Sequence, residues 1–286
     1  MVSRTLVSQR QKPAPGALVL DHVGHFVRDL DAAARLLEAL GFSPTPVSHH
    51  VANGKPAGTS NRCVMLEEGY LEILAPTMDT PNAERIRRSM QRYSGVHLVC
   101  YGTPAAQEEH ARLASHGFSP EPLVELRRRI DDGREVGFRV VYAPAEAMPE
   151  CRAQYCEHLT PEVLWEEKNL GHRNGVTALA AAYLVAEDPA LTAARWAEFS
   201  GLLPSPHDDG VVLETSRGTI HIASREALSR LIPNVPAAPA VAAIELKVRE
   251  PGDFAALCAK AGLEVTKPGG RRCVSLPEAL GGAWVF

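Results

Sequence analysis

Leu18-Val-Leu-Asp-His-Val-Gly-His-Phe-Val27, then Asp29-Leu-Asp-Ala-Ala-Ala-Arg-Leu-Leu-Glu-Ala-Leu40, then Gly41-Phe-Ser-Pro44 is the stretch that decides the fold. The first run has the apolar character of a strand, and the second spaces its apolar side chains as an amphipathic helix does. Gly41 suits a helix C-cap, and Pro44 bars continuation. The same unit returns from Val96, with a helix from Pro104 to Ser115 and Gly117-Phe-Ser-Pro120 behind it. A third copy starts near Val176, with a helix from Pro189 to Phe199 closed by Gly201-Leu-Leu-Pro204. A fourth starts near Ala242, with a helix from Pro251 to Lys260 and then Gly262-Leu-Glu-Val265.

Hairpins follow the helices. Arg62 to Leu66 and Tyr70 to Leu74 flank Glu67-Glu-Gly69, and Leu123 to Ile130 returns through Asp131-Asp-Gly133 into Val136 to Tyr142. Val211 to Thr215 and Thr219 to Ala223 make another hairpin. Each unit therefore reads β-α-β-β-β, with an indistinct second strand. One unit leaves a sheet face uncovered and needs a partner, so four units make two pairs. The expected fold is α+β, with four βαβββ modules in two pairs. Residues 1–17 read as a loose extension, 18–167 as the N-terminal pair, and 168–286 as a loop-rich linker (Asn169, Gly171, Asn174, Gly175) followed by the C-terminal pair.

The repeat also organises the polar residues. His22 opens the first strand and His97 the corresponding one. Aligning Tyr70-Leu-Glu-Ile-Leu-Ala-Pro76 with Tyr155-Cys-Glu-His-Leu-Thr-Pro161 superposes Glu72 on Glu157. Glu72 lies between Leu71 and Ile73, where an unpaired carboxylate is costly, so pairing, protonation or a metal is expected. Two histidines and two carboxylates from equivalent strands suit one divalent metal. Strand alternation puts His22 and His25 on opposite faces. It also puts His158 opposite Glu157, and a one-residue slip would exchange those two.

At 286 residues, 45% hydrophobic and a net charge of -4, the chain describes a globular protein without a general affinity for nucleic acid. No apolar run has the length of a membrane span, and residues 1–17 lack the apolar core of a signal peptide. Six scattered cysteines without a Cys-x-x-Cys pair indicate neither a disulfide framework nor a structural zinc site, so a cytoplasmic location is the default expectation. Dinucleotide, P-loop and nucleophile-elbow signatures are absent from the sequence.

The strand–helix–Gly-Phe repeat with His22 five residues before Val27 resembles the vicinal oxygen chelate superfamily. Leu20-Asp-His-Val-Gly-His-Phe-Val27, Gly58-Thr-Ser-Asn-Arg-Cys-Val-Met-Leu66 and Gly69-Tyr-Leu-Glu-Ile-Leu74 look like its glyoxalase-like branch. The resemblance implies paired modules that curve into cup-shaped mixed sheets, and a metal held by His22, Glu72, His97 and Glu157. It implies a divalent ion (Ni, Zn, Mn, Co or Fe) and a small-molecule substrate with neighbouring oxygens. A lyase or isomerase would use Glu157, or else Glu72, as base. The alternatives are an Fe(II) dioxygenase of extradiol type and a non-enzymatic binding protein of the bleomycin-resistance type. Ala180 and Ala243 stand at the ligand positions of modules three and four. The C-terminal pair therefore reads as structural, as a wall, or as the surface of a homodimer.

Thr59 and Asn61 can point into the N-terminal cavity as substrate contacts, with His158 as a third, although Asn61 can equally cap a loop. Arg127-Arg-Arg129 reads as a solvated charge run or an anchor for an acidic substrate. His172-Arg-Asn-Gly175 reads as a turn or a flap over the cavity mouth.

Overall fold

The computed structural model describes residues 4–52, 54–130 and 133–286; Asp131 and Asp132 of the expected turn, and the side chains of Arg128 and Arg129, lie outside the described set. After α1 (Arg4–Gln9), module one is β1 (Val19–Phe26), α2 (Leu30–Ala39), β2 (Ser48–Ala52), β3 (Lys55–Met65) and β4 (Tyr70–Pro76). Helix α3 (Pro81–Arg92) leads to module two: β5 (Gly95–Gly102), α4 (Ala106–Ser115), β6 (Val124–Arg129), β7 (Glu135–Tyr142) and β8 (Arg152–His158). Past α5 (Pro161–Leu164), module three is β9 (Val176–Val185), α6 (Pro189–Ser200), β10 (Pro204–His207), β11 (Gly210–Glu214) and β12 (Thr219–Ala223). Helix α7 (Arg225–Ser229) joins it to module four: β13 (Ala240–Val248), α8 (Pro251–Lys260), β14 (Val265–Thr266), β15 (Cys273–Ser275) and β16 (Ala283–Val285).

Each pair of modules forms one eight-stranded mixed sheet, ordered β2-β3-β4-β1-β5-β8-β7-β6 and β10-β11-β12-β9-β13-β16-β15-β14. The first strands of the paired modules run antiparallel at the centre, β1 on β5 and β9 on β13. The second strand of module one is the exposed edge β2, whose alternating burial explains its weak signature. At the helix starts, Asp29 and Asp188 accept backbone N–H groups of α2 and α6.

The same β-bulge interrupts the central strand of every module. In the β1–β5 ladder Asp21 and His97 are the extra residues; in the β9–β13 ladder Ala180 and Ala242 take those places, and Thr177 is a further irregularity near the strand start. A bulge places two consecutive side chains on one face and so breaks the alternation on which facing arguments rest.

The convex faces of both sheets share one core, which includes Leu37, Tyr101, Trp196, Phe254 and Trp284. His25 joins the pairs: its Nδ1–H donates to Leu280 O at 3.0 Å, and its Nε2 accepts from Trp284 Nε1 at 3.3 Å. On the concave face of the C-terminal sheet, Leu228, Ile232 and Val235 fill the space beside Ala181, Ala243 and Ala283. Small floor residues make room for this plug.

Two expectations need correction. The N-terminal extension is not loose over its described part. Val7 packs with Trp165, and Gln11 donates to Val7 O and Glu67 O, each at 2.9 Å. His172 and Asn174 do not cover the cavity mouth. His172 donates to Met65 O at 2.8 Å and accepts from Ser43 N, while Asn174 donates to Leu40 O. The linker is stapled to the back of module one, where it satisfies backbone groups.

Burial lowers the pKa of His25 to about 4, so the folded protein keeps it neutral where the unfolded chain takes up a proton. Its contribution is complete above pH 6.5 and lost as pH falls from there to about 4, a decline of about 3 kcal/mol. Denaturant titrations across that window should show the slope, and His25→Gln should flatten it by one proton. An unchanged slope in the variant would refute the assignment.

Candidate functional site

The N-terminal sheet curves until its edge strands β2 and β6 meet, enclosing a cavity of about 460 Å³. Leu74, Leu98, Leu126, Phe138 and Val140 supply apolar wall, and the polar lining includes His22, Asn61, Glu72, Gln154 and Arg152. A mostly apolar concavity with a few convergent polar groups is the usual form of a small-molecule site.

Asp21 organises the floor. The bulge brings its carboxylate beside the imidazole of His22, whose Nδ1–H donates to Oδ2 at 2.7 Å. His158, from β8, donates Nε2–H to both carboxylate oxygens at 3.0 Å. All three side chains are buried. Room for the bulge depends on Gly102, where a Cβ would lie 2.7 Å from Val19 Cγ2 and 3.2 Å from Asp21 Cβ. Burial opposes charge on Asp21, yet the facing histidines outweigh it and hold the carboxyl well below the usual carboxylate range. Burial likewise works against a charged His158, and the Asp21 carboxylate overrides it, raising the imidazole to about 10. With Nδ1 of His22 committed to Asp21, Nε2 is the ring nitrogen that remains for a ligand. Such a carboxylate-backed imidazole is the arrangement that orients a metal-ligating histidine.

Glu72 stands on β4, with His22 opposite Tyr70 and Gly24 opposite Glu72, so the two side chains share the concave face. Asn61 Nδ2 donates to Glu72 Oε1 at 2.7 Å, His50 Nε2 lies 3.8 Å from the same oxygen, and His50 Nδ1 is 3.0 Å from Thr59 Oγ1. Asn61 Oδ1 and Gln154 Oε1 are buried and have no hydrogen-bond partner among the described residues. Two unpartnered acceptor oxygens in the same lining as the His22 imidazole and the Glu72 carboxylate are a donor set whose chemistry fits a hard divalent cation. The guanidinium of Arg152 lies 4.5 Å from the Tyr142 ring centroid and has no ion-pair partner among the described residues. Arg127 at the rim is paired with Glu125 and Glu135, each at 2.6 Å.

The expected set of four does not converge. His97 is the bulge residue matching Asp21, and it stacks between Phe26 and Tyr93 with Nε2–H donating to Tyr93 O at 2.9 Å. Glu157 lies on the helix face of β8, where its Oε2 accepts the N–H of Ala106 at the start of α4. The ladder sets a different register between the modules. Val27 N–H donates to Leu74 O and Thr103 N–H to Cys156 O, so Leu74 corresponds to Cys156, and two residues back Glu72 corresponds to Gln154. Five residues before Val27 and Thr103 stand His22 and Leu98. Tyr70 therefore corresponds to Arg152 and not to Tyr155, an offset of three residues, and an odd offset exchanges the faces. In module three the cup position is Ala181 and Ala180 is the bulge; in module four it is Ala243.

Of the other expected residues, Thr59 and Asn61 line the cavity, while His158 lies behind its wall against Asp21. Sequence reasoning missed Asp21, Gln154 and Arg152. A signal for Asp21 existed: it is an acid in the apolar strand Val19–Phe26, open to the argument applied to Glu72.

The sequence profile of the glyoxalase-like domain matches residues 20–200. The chain belongs to this family. No curated protein matches it. Among solved structures, a hypothetical protein from Staphylococcus aureus superposes with a TM-score of 0.67 at 11% identity, over 94% of this chain and 98% of that one. A variant of 4-hydroxymandelate synthase from Streptomyces coelicolor gives 0.57 at 13% identity, over 95% and 93%. The Mn(II)-bound glyoxalase from Novosphingobium aromaticivorans gives 0.54 at 9%, over 94% and 81%. At these identities the likeness concerns the fold alone.

Asp21→Asn should cost about 3–5 kcal/mol, because it leaves the His158 imidazolium buried without its counter-charge. A double-mutant cycle with His158→Gln should recover part of that loss; additive effects would contradict the pairing. Glu157→Ala should cost only about 1 kcal/mol, the value of a helix N-terminal contact, and leave metal binding unchanged.

Proposed function

We propose that this protein is a divalent-metal-dependent lyase or isomerase of the glyoxalase type, acting in the N-terminal cup on a small, oxygen-chelating, acidic substrate. The observation that carries the reading is the Asp21–His22 pair, which orients His22 in a cavity lining that also holds Glu72 and two unpartnered amide oxygens. His22, Glu72, Gln154 and Asn61 would hold the ion. When bound, it would polarise a substrate carbonyl and stabilise negative charge as the neighbouring proton leaves.

The remaining roles belong to side chains in view. Arg152 attracts an anionic group and presents it over the floor. The walls of Leu98, Leu126, Phe138 and Val140 keep the reacting centre dry. Glu72 is the carboxylate of the floor, and Asn61 steadies Oε1, so Oε2 can take a proton from the carbon next to the carbonyl.

Titration calorimetry with Mn²⁺ tests the ligand set. Wild type should bind one ion, and Glu72→Gln and His22→Leu should each weaken it by about tenfold or more. His97→Leu and Glu157→Gln should bind as wild type does. Undiminished binding in Glu72→Gln would sink the proposal. On an α-oxo or vicinal-diol acid that is turned over, Arg152→Met should raise KM by about tenfold with kcat little changed.

A further inference from the structure

We propose a second metal site directly beneath the cup floor, in which Cys100, Cys156, His158 and Asp21 hold a thiophilic divalent ion, Zn²⁺ being the natural occupant. The four residues come from three neighbouring strands at the centre of the N-terminal sheet, β1, β5 and β8. Ligand atoms of Asp21, Cys156 and His158 all lie within 4.8 Å of one another, as do those of Asp21, His22 and Cys100. The separations are 3.0 Å from His158 Nε2 to each Asp21 oxygen and 3.9 Å from that nitrogen to Cys156 Sγ. Cys100 Sγ accepts from Gln154 Nε2 at 3.8 Å, on the strand that carries Cys156. In a tetrahedral zinc site, with bonds of about 2.0–2.3 Å, neighbouring ligand atoms stand about 3.3–3.8 Å apart. Small shifts would therefore close Asp21, Cys156 and His158 around an ion, and Cys100, grouped with the same Asp21, would supply the fourth ligand.

The chemistry differs from that of the floor above. Asn61, Glu72 and Gln154 offer hard oxygens, whereas two thiolates select Zn²⁺ over Mn²⁺ or Mg²⁺. Nothing in packing calls for this group: two thiols, an imidazole and a carboxylate fill space that aliphatic residues would fill without desolvation cost. Cys156 borders the cavity, which gives an ion a way in. The other four cysteines, Cys63, Cys151, Cys258 and Cys273, belong to no such group among the described residues. Asp21 can serve both sites. One oxygen would bind the ion while the other keeps the Nδ1–H of His22, so the lower ion would tune the imidazole of the upper site. Binding replaces the proton that His158 shares with Asp21 and releases the two thiol protons, and the cluster moves from neutral to a net charge of -1.

Cobalt(II) is the probe. Added to the full-length protein after chelation, it should produce a thiolate-to-cobalt charge-transfer band in the near ultraviolet. That band should vanish in the Cys100→Ser/Cys156→Ser double variant, and Cys156→Ser alone should weaken Zn²⁺ binding by about a hundredfold. Glu72→Gln should keep the band, so failure of the cup-floor assignment and failure of this one are separable. X-ray absorption of the zinc-loaded wild type, which requires no variant to fold, should show two sulfur neighbours. A coordination shell of nitrogen and oxygen alone, a thiolate band that survives the double substitution, or no binding of zinc and cobalt at all would overturn the proposal.

Discussion

A carboxylate that cannot reach water governs the N-terminal half of this protein. Asp21 is fully buried, and removing an ionised group from solvent costs several kcal/mol unless charge and hydrogen bonds answer it. His22 and His158 answer it from two sides, and in doing so each gives up its freedom. The imidazole of His22 becomes a fixed tautomer, and the end of β8 is tied to β1 across the intervening β5. The polar floor of the cup is thus rigid for the reason that the buried charge is tolerated at all.

The same fold is used twice with opposite outcomes. In the N-terminal sheet the bulge carries Asp21, the cup position carries His22, and the concavity stays open. The C-terminal sheet has alanine at the two corresponding bulges and at the cup positions Ala181 and Ala243, and the segment from α7 onward packs Leu228, Ile232 and Val235 into the hollow. Its remaining acid on the central strands, Glu245, is taken by the hydroxyl of Tyr183 at 2.6 Å and by Arg271. One pair keeps a chamber and the other becomes a packed support. His25 and Trp284 lock the two together on their convex sides.

Much of the architecture was legible in the chain. The recurring strand, helix and Gly-Phe stop declare four modules because capping and chain reversal are local matters, settled by residues such as Asp29, Gly41 and Pro44. The apolar setting of Glu72 likewise announced a carboxylate in need of a partner. The wrong ligands arose from register. His97 and Glu157 match His22 and Glu72 in letters, but one sits on a bulge and the other is three residues out of step. A strand side chain changes face with every single-residue shift, and only the hydrogen-bond ladder between strands fixes that shift. The sequence therefore determined the modules, their pairing into sheets and the burial of a few costly polar groups. Tertiary structure alone decided which of those groups face one another, because facing depends on register and bulges set by strands distant in sequence.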